Sequence, residues 1–307
     1  HTRSSLRKSL ISVLGKLPKE RVALEMNLLD EQDFAGYTRQ RVNYFVDDWT
    51  RVSAWLFIPE GAEGAPGILC CHQESEEAKN ECAGIKGNAR LAFARHYAEM
   101  GFVTLAPDCV TAGERVSSKL PPYDTTSYYR DHPKLSVLGK MYMDHTYALD
   151  LFAEIKQVDT ERLGVVGHGL GGTNALLLAA LDERVSACVA SCGFERFSTD
   201  EKPERWAQDA GLCMLPTLLP AIQSREFPFD WEHILAMAAP TPMLVINNVK
   251  ESAYSHPESC RQAVEMARAA YKLLGSSRAL EYQEHKHGHK MTHETLEMAD
   301  GWFERWL

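Results

Sequence analysis

The sequence predicts an α/β protein with a mostly parallel central sheet and helices on both faces. Short apolar runs of strand length recur along it: Gly67 to Cys71, Phe102 to Ala106, Leu163 to Val166, Val185 to Ala190 and Pro242 to Ile246. Stretches of helical composition separate these runs, which is the pattern of βαβ units and hence of parallel strands. The run Leu163 to Val166 also enters a glycine cluster, Gly167, Gly169, Gly171 and Gly172, and passes straight into Thr173 to Ala180. Strand, sharp turn and helix follow one another there without a linker.

The elements can be taken in order. Leu6, Leu10, Ile11 and Leu14 have helical spacing and Gly15 closes them, so Ser4 to Leu14 is expected as a helix in an N-terminal extension over 1–36. Tyr37 to Phe45 and Arg51 to Ile58 alternate or run apolar about Asp47 to Thr50, as a β-hairpin does. Glu74 to Gly87 is polar and is expected as a loop; Ala89 to Met100 is expected as a helix stopped by Gly101. Tyr123 to Leu138 is a polar, aromatic-bearing excursion before a helix from Met141 to Ile155. Residues 194–236 break the alternation with charges and prolines, and an inserted segment over the carboxyl edge of the sheet is expected there. The pattern resumes with a helix from Pro257 to Leu274, a strand near Leu280 to Gln283 and a closing helix from Thr292 to Leu307.

A chain of 307 residues, 45% hydrophobic, has ample material for one large domain, and a single domain over 1–307 is the expectation. The net charge of -9 argues against a nucleic-acid or anionic-membrane partner. No apolar run nears the roughly 18 residues of a membrane span. The eight cysteines form no CxxC pair or zinc-like spacing and several lie in apolar runs. Buried free thiols and a cytoplasmic, reducing setting follow as expectations, together with no visible signal peptide and a possible homo-oligomer.

The ordered set Ile68-Leu69-Cys70-Cys71-His72-Gln73, Leu105-Ala106-Pro107-Asp108, Gly167-His168-Gly169-Leu170-Gly171, Ser191-Cys192-Gly193-Phe194, Phe227-Pro228-Phe229-Asp230-Trp231, Ala239-Pro240 and Gly288-His289 resembles the α/β-hydrolase superfamily, in its acetyl xylan esterase-like and dienelactone hydrolase-like branch. The resemblance runs from the N-terminal helix to Trp306. It implies an α/β-hydrolase fold and a G-x-S-x-G nucleophile elbow, whose central position here holds Gly169 in place of serine. It also implies His289 as general base and Glu251 as the acid that orients it. One oxyanion donor would be the backbone N–H of Gln73 and the other that of Leu170. His72, His168, Trp206 and Trp231 would flank the substrate, with further specificity from Tyr123 to Tyr129. The substrate implied is a carboxylic ester, a lactone or a related carbonyl compound, with no cofactor and no metal.

Blander readings accompany these. His285, His287 and His289 also admit a metal or solvent-facing reading, Glu251 that of a surface residue, and Asp108, Glu114 and Arg115 that of an ion pair or turn. Cys70, Cys71, Cys192 and Ser191 sit in core-like runs, so structural burial is favoured over a nucleophilic role. A glycine has no group to acylate. Gly169 is therefore compatible with a serine replaced to disable the enzyme, a native enzyme that uses water, or a binding protein or lyase on a hydrolase scaffold.

Overall fold

The computed structural model describes residues 2–307 except positions 19, 48, 49, 118, 209, 210 and 251–255. Helix α1 (Arg3–Leu14) starts at Thr2, whose hydroxyl accepts the Ser5 N–H, and stops at Gly15, where φ is 106°. Strands β1 (Met26–Phe34), β2 (Tyr37–Phe45) and β3 (Arg51–Pro59) form an antiparallel meander. Then come β4 (Ala65–Cys71), the single turn α2 (Lys79–Cys82), α3 (Phe93–Glu99), β5 (Val103–Pro107), α4 (Thr126–Asp131), α5 (Val137–Glu154), β6 (Val158–His168) and α6 (Leu170–Leu181). The second half holds β7 (Val185–Ser191), α7 (Arg205–Gln208), α8 (Leu219–Ser224), α9 (Trp231–Ala238), β8 (Met243–Asn248), α10 (Glu258–Leu273), β9 (Leu280–His285) and α11 (His293–Trp306).

The nine strands join in one sheet in the order β1-β2-β3-β5-β4-β6-β7-β8-β9. Pairing is antiparallel from β1 to β5 and parallel from β5 to β9. Both faces are covered, and the parallel strands show why their sequences read as unbroken apolar runs. Leu69, Val165, Cys188 and Val245 point to a core shared with α1, α5, α6, α9 and α10. Their neighbours Ile68, Val166, Val189 and Ile246 point to a second core under α3 and α11. The chain leaves β4 toward β5 on one side and returns to β6 on the other, so the crevice beyond the carboxyl ends of β4 and β6 is the topological switch point, where open α/β sheets take ligands.

Four local expectations change. The N-terminal extension is more than helical: it supplies the edge strand β1, every residue of which is exposed, so no alternation betrays it. The stretch from Glu74 to Gly87 contains α2, in which Lys79 and Glu81 are buried. The helix expected from Ala89 is broken at Ala92 into a 3₁₀ turn (Ala89–Leu91) and α3. Helix α5 begins four residues early, at Val137, because the Ser136 hydroxyl accepts the Gly139 N–H at 2.9 Å.

Candidate active site

The elbow is built by close packing. A Cβ at Gly167 would lie 2.1 Å from the Gly171 carbonyl carbon, and one at Gly171 would lie 2.0 Å from the Cys71 oxygen. Glycine at these positions lets the start of α6 sit directly on the ends of β6 and β4. Between strand and helix, Gly169 takes φ 54° and ψ -123°, a conformation that strains side-chain-bearing residues. The N–H of Thr173 bonds the Gly169 oxygen at 3.1 Å, so the N–H groups of Leu170 to Gly172 precede the first intrahelical bond at the positive end of the helix.

His289 reaches this turn from the loop between β9 and α11. A Cβ built on Gly169 would stand 3.0 Å from His289 Nε2 and 3.6 Å from the Gln73 Cβ. Imidazole, glycine and the chain after β4 therefore converge on one point. They share a cavity of about 390 Å³ with Leu170, Thr173, Glu74, Arg205, Trp206, Leu212 and Met214. Trp206, Leu212 and Met214 supply an apolar wall. The guanidinium of Arg205 is held by Glu195 at 2.8 Å and Asp200 at 2.7 Å, both fully buried.

Of the other residues expected at the substrate, Trp206 lines this cavity, whereas His72, His168 and Trp231 do not. His72 is buried behind the loop: its Nε2 accepts the Cys109 N–H at 3.0 Å, which leaves the proton on Nδ1, facing the Gln73 oxygen at 2.7 Å. Burial lowers its pKa, so the ring is held neutral as a brace for the loop rather than as a substrate contact. His168 is also buried, with Nδ1 2.9 Å from the Ser191 hydroxyl and its ring 4.4 Å from that of His289, against which it packs from below. Trp231 heads α9 and stacks on Phe194 at 5.0 Å, with Phe197 and Trp206 around it, as core beneath the cavity wall. Glu251 lies outside the described residues. Just before it, Asn248 Oδ1 accepts the N–H groups of Lys250 (3.1 Å) and of Gly288 (3.2 Å), which ties the end of β8 to the His289 loop.

Of the residues that hold the chain after β4, sequence reading marked neither Lys79 nor Glu81, and it marked Tyr123 only as a specificity residue. The Tyr123 hydroxyl contacts the Gln73 oxygen (3.0 Å), the Ser75 oxygen (2.8 Å) and the Ser75 nitrogen (3.1 Å). The Gln73 side chain donates to Glu81 at 2.8 Å. Lys79, only 2% exposed, bonds Asp108, and reaches Glu114 at 2.8 Å; Arg115 links the Asp108 carbonyl to Asp144. A Cβ at Gly113 would overlap the Asp108 carboxylate, so that glycine makes room for the charge. The ion pair expected of Asp108, Glu114 and Arg115 is thus part of a network, buried except at Glu114, with a second cation, Lys79, from a stretch that reads as a loop. Nothing in residue type alone distinguishes such a lysine from a solvated one.

Among the described residues the eight cysteines form no disulfide, and seven are buried. Burial pushes the Cys70 and Cys71 thiols well above their ordinary pKa, which removes them as nucleophiles. Among the described residues, no three His, Cys, Asp or Glu side chains are placed to hold a metal ion, and no helix is long and apolar enough to cross a membrane.

A glycine-tight strand-turn-helix at the switch point of a mostly parallel sheet, faced by a histidine from the loop after the last strand, defines an α/β-hydrolase fold. Residues 52–215 match the model of the dienelactone hydrolase family, to which the chain belongs. It is 26% identical over 200 residues to YtaP of Bacillus subtilis (strain 168), covering 62% of this chain and 64% of that protein. It is 24% identical over 187 residues to the acetyl esterase Axe7A of Xylanibacter ruminicola, covering 58% of this chain and 40% of that one. The matches thus span less than two thirds of either relative. Among solved structures, the glucuronoyl esterase from Solibacter usitatus superposes with a TM-score of 0.77 at 15% identity, over 98% of this chain and 91% of that one.

Proposed function

We propose that this protein is a carboxylic-ester hydrolase that uses water directly, with no acyl-enzyme. Its substrate is a small ester or lactone, an acetyl ester among the candidates. The observation that carries the reading is the 3.0 Å between His289 Nε2 and the Cβ position of Gly169: the imidazole faces the place from which a nucleophile attacks at this elbow. In the proposed reaction His289 takes a proton from a water molecule. The resulting hydroxide adds to the carbonyl carbon, and the negative oxygen is received by the backbone N–H groups of Gln73 and Leu170. Collapse breaks the C–O bond, and the leaving alkoxide takes the proton back from the imidazolium. Glu251 orients the imidazole and balances its charge. Residues 194–236 act as a cap, with Trp206, Leu212 and Met214 against the apolar part of the substrate.

Oxyanion donors and binding without a nucleophile can still supply on the order of 10³ over water, so a slow but real hydrolysis is expected. The test is turnover of p-nitrophenyl acetate and a small lactone panel by the wild type, Gly169→Ser and His289→Ala. Wild-type turnover without a burst, lost in His289→Ala, supports the water mechanism. A rate for Gly169→Ser several orders of magnitude above wild type, with an acylation burst, identifies an esterase that has lost its nucleophile. A wild-type rate equal to that of His289→Ala refutes the reading.

A further inference from the structure

We infer that Tyr123 is a positioning residue for the reaction: its hydroxyl fixes the chain from Gln73 to Ser75 and so holds the Gln73 N–H at the angle the oxyanion needs. This rests on the proposed donor role of Gln73. The bonds are those of a latch. Tyr123 comes from a segment about fifty residues further on, yet one hydroxyl meets two carbonyls and one N–H within three consecutive residues. It thereby sits on the C-terminal side of Gln73, while Glu81 holds the side chain and the His72 ring faces the same carbonyl. With carbonyl and side chain both held, residue 73 has little rotation left, and its N–H keeps one direction. Donors fixed before the charge develops are worth most in a site that excludes water.

Two features set this tyrosine apart from an ordinary buried phenol. Its φ is 64°, a strained left-handed conformation that is rare for a bulky residue. The fold bears that strain where the hydroxyl meets the loop. The ring is also 6% exposed, and burial keeps the phenol's pKa well above its ordinary value, so the hydroxyl stays a donor at every working pH.

Tyr123→Phe removes only the hydroxyl. Two measurements on the full-length variant test the inference: amide hydrogen exchange, and kcat and KM on whichever ester the wild type turns over. The expected result is exchange at least tenfold faster at residues 73–77 with the rest of the chain unchanged, a kcat lower by about 10- to 100-fold and a KM within twofold. The comparison variant is Tyr271→Phe on α10, which loses a part-buried hydroxyl bond to the Thr241 oxygen (2.9 Å); it should lose stability and keep its kcat. Unchanged exchange at 73–77 overturns the inference, as does faster exchange with unaltered kcat, or a kcat loss matched by Tyr271→Phe. Exchange is read without turnover, and failure of the underlying hydrolase reading has its own mark, a His289→Ala rate equal to wild type.

Discussion

Two loops face each other across Gly169, and they are held in opposite ways. The chain after β4 is half-buried or exposed from Gln73 to Glu77, but it is anchored on buried groups: Lys79 to Asp108 and Glu114, Gln73 to Glu81, His72 to the Cys109 N–H. The loop that carries His289 is exposed, and the bonds that reach it from the described residues include those between Gly288 and Asn248, between His287 and His285 Nδ1 and between Val249 and the His285 oxygen. The difference fits the two tasks proposed. Donors must stand fixed before charge develops, because reorganising them would consume the stabilisation they provide. A base that takes and returns a proton has to accommodate two charge states and gains from contact with water.

Removing the cation from the buried side should have the largest effect on stability. Lys79→Met leaves Asp108, which is fully buried, without its counter-ion, and breaking a buried pair from one side costs about 3–5 kcal/mol. Urea unfolding measures this. A loss under 1 kcal/mol would mean that the network relaxes and that the loop after β4 is not held by charge.

Acid should attack the same side next. His145 is buried beside this network, and burial lowers its pKa from 6.5 to about 4; His72 is lowered in the same direction for the same reason. Between those values the unfolded chain binds a proton that the folded chain refuses, so stability falls as pH falls. From pH 6.5 to about 4, His145 alone accounts for about 3 kcal/mol. Unfolding midpoints across that window should drop for the wild type and flatten in His145→Gln; parallel curves would remove the histidine from the account.

The exposed side predicts the smallest effect. Asn248→Ala removes the acceptor of the Gly288 and Lys250 N–H groups and should cost about 1 kcal/mol. The rate should fall more than the stability does, because the His289 loop loses its tie to β8. An unchanged rate would show that the loop is aimed by other contacts.

The fold was legible where burial and chain pattern coincide. Leu163 to Val166 and Val185 to Ala190 are apolar on both faces because two helical layers cover them, and such runs announce themselves. Strand β1 is a strand by pairing alone: Met26 to Phe34 is exposed throughout, and its apolar residues Met26, Leu28, Leu29 and Phe34 do not alternate steadily with polar ones. Gly169 and His289 were legible because the elbow needs glycines in fixed places and because histidine follows a glycine at the end of the last strand. Lys79 was not, since its partners Asp108 and Glu114 come from a later segment; nor were the side-chain bond of Glu81 to Gln73 and the bonds of Tyr123 to Gln73 and Ser75. The same limit explains Trp231 and His72. An aromatic and an imidazole near a pocket look alike in sequence whether they face the cavity or the layer beneath it.

The glycines of the elbow also differ in what a side chain would cost them. At Gly167 and Gly171 an added carbon runs into main-chain atoms that cannot retreat without moving a strand. At Gly169 the obstacle is the tip of an exposed histidine, and a backbone strain of order 1–3 kcal/mol. Glycine and serine codons can differ by a single base. On the proposed reading a nucleophilic hydroxyl therefore lies one step away from this chain, at the elbow glycine whose added carbon meets side chains and not main chain.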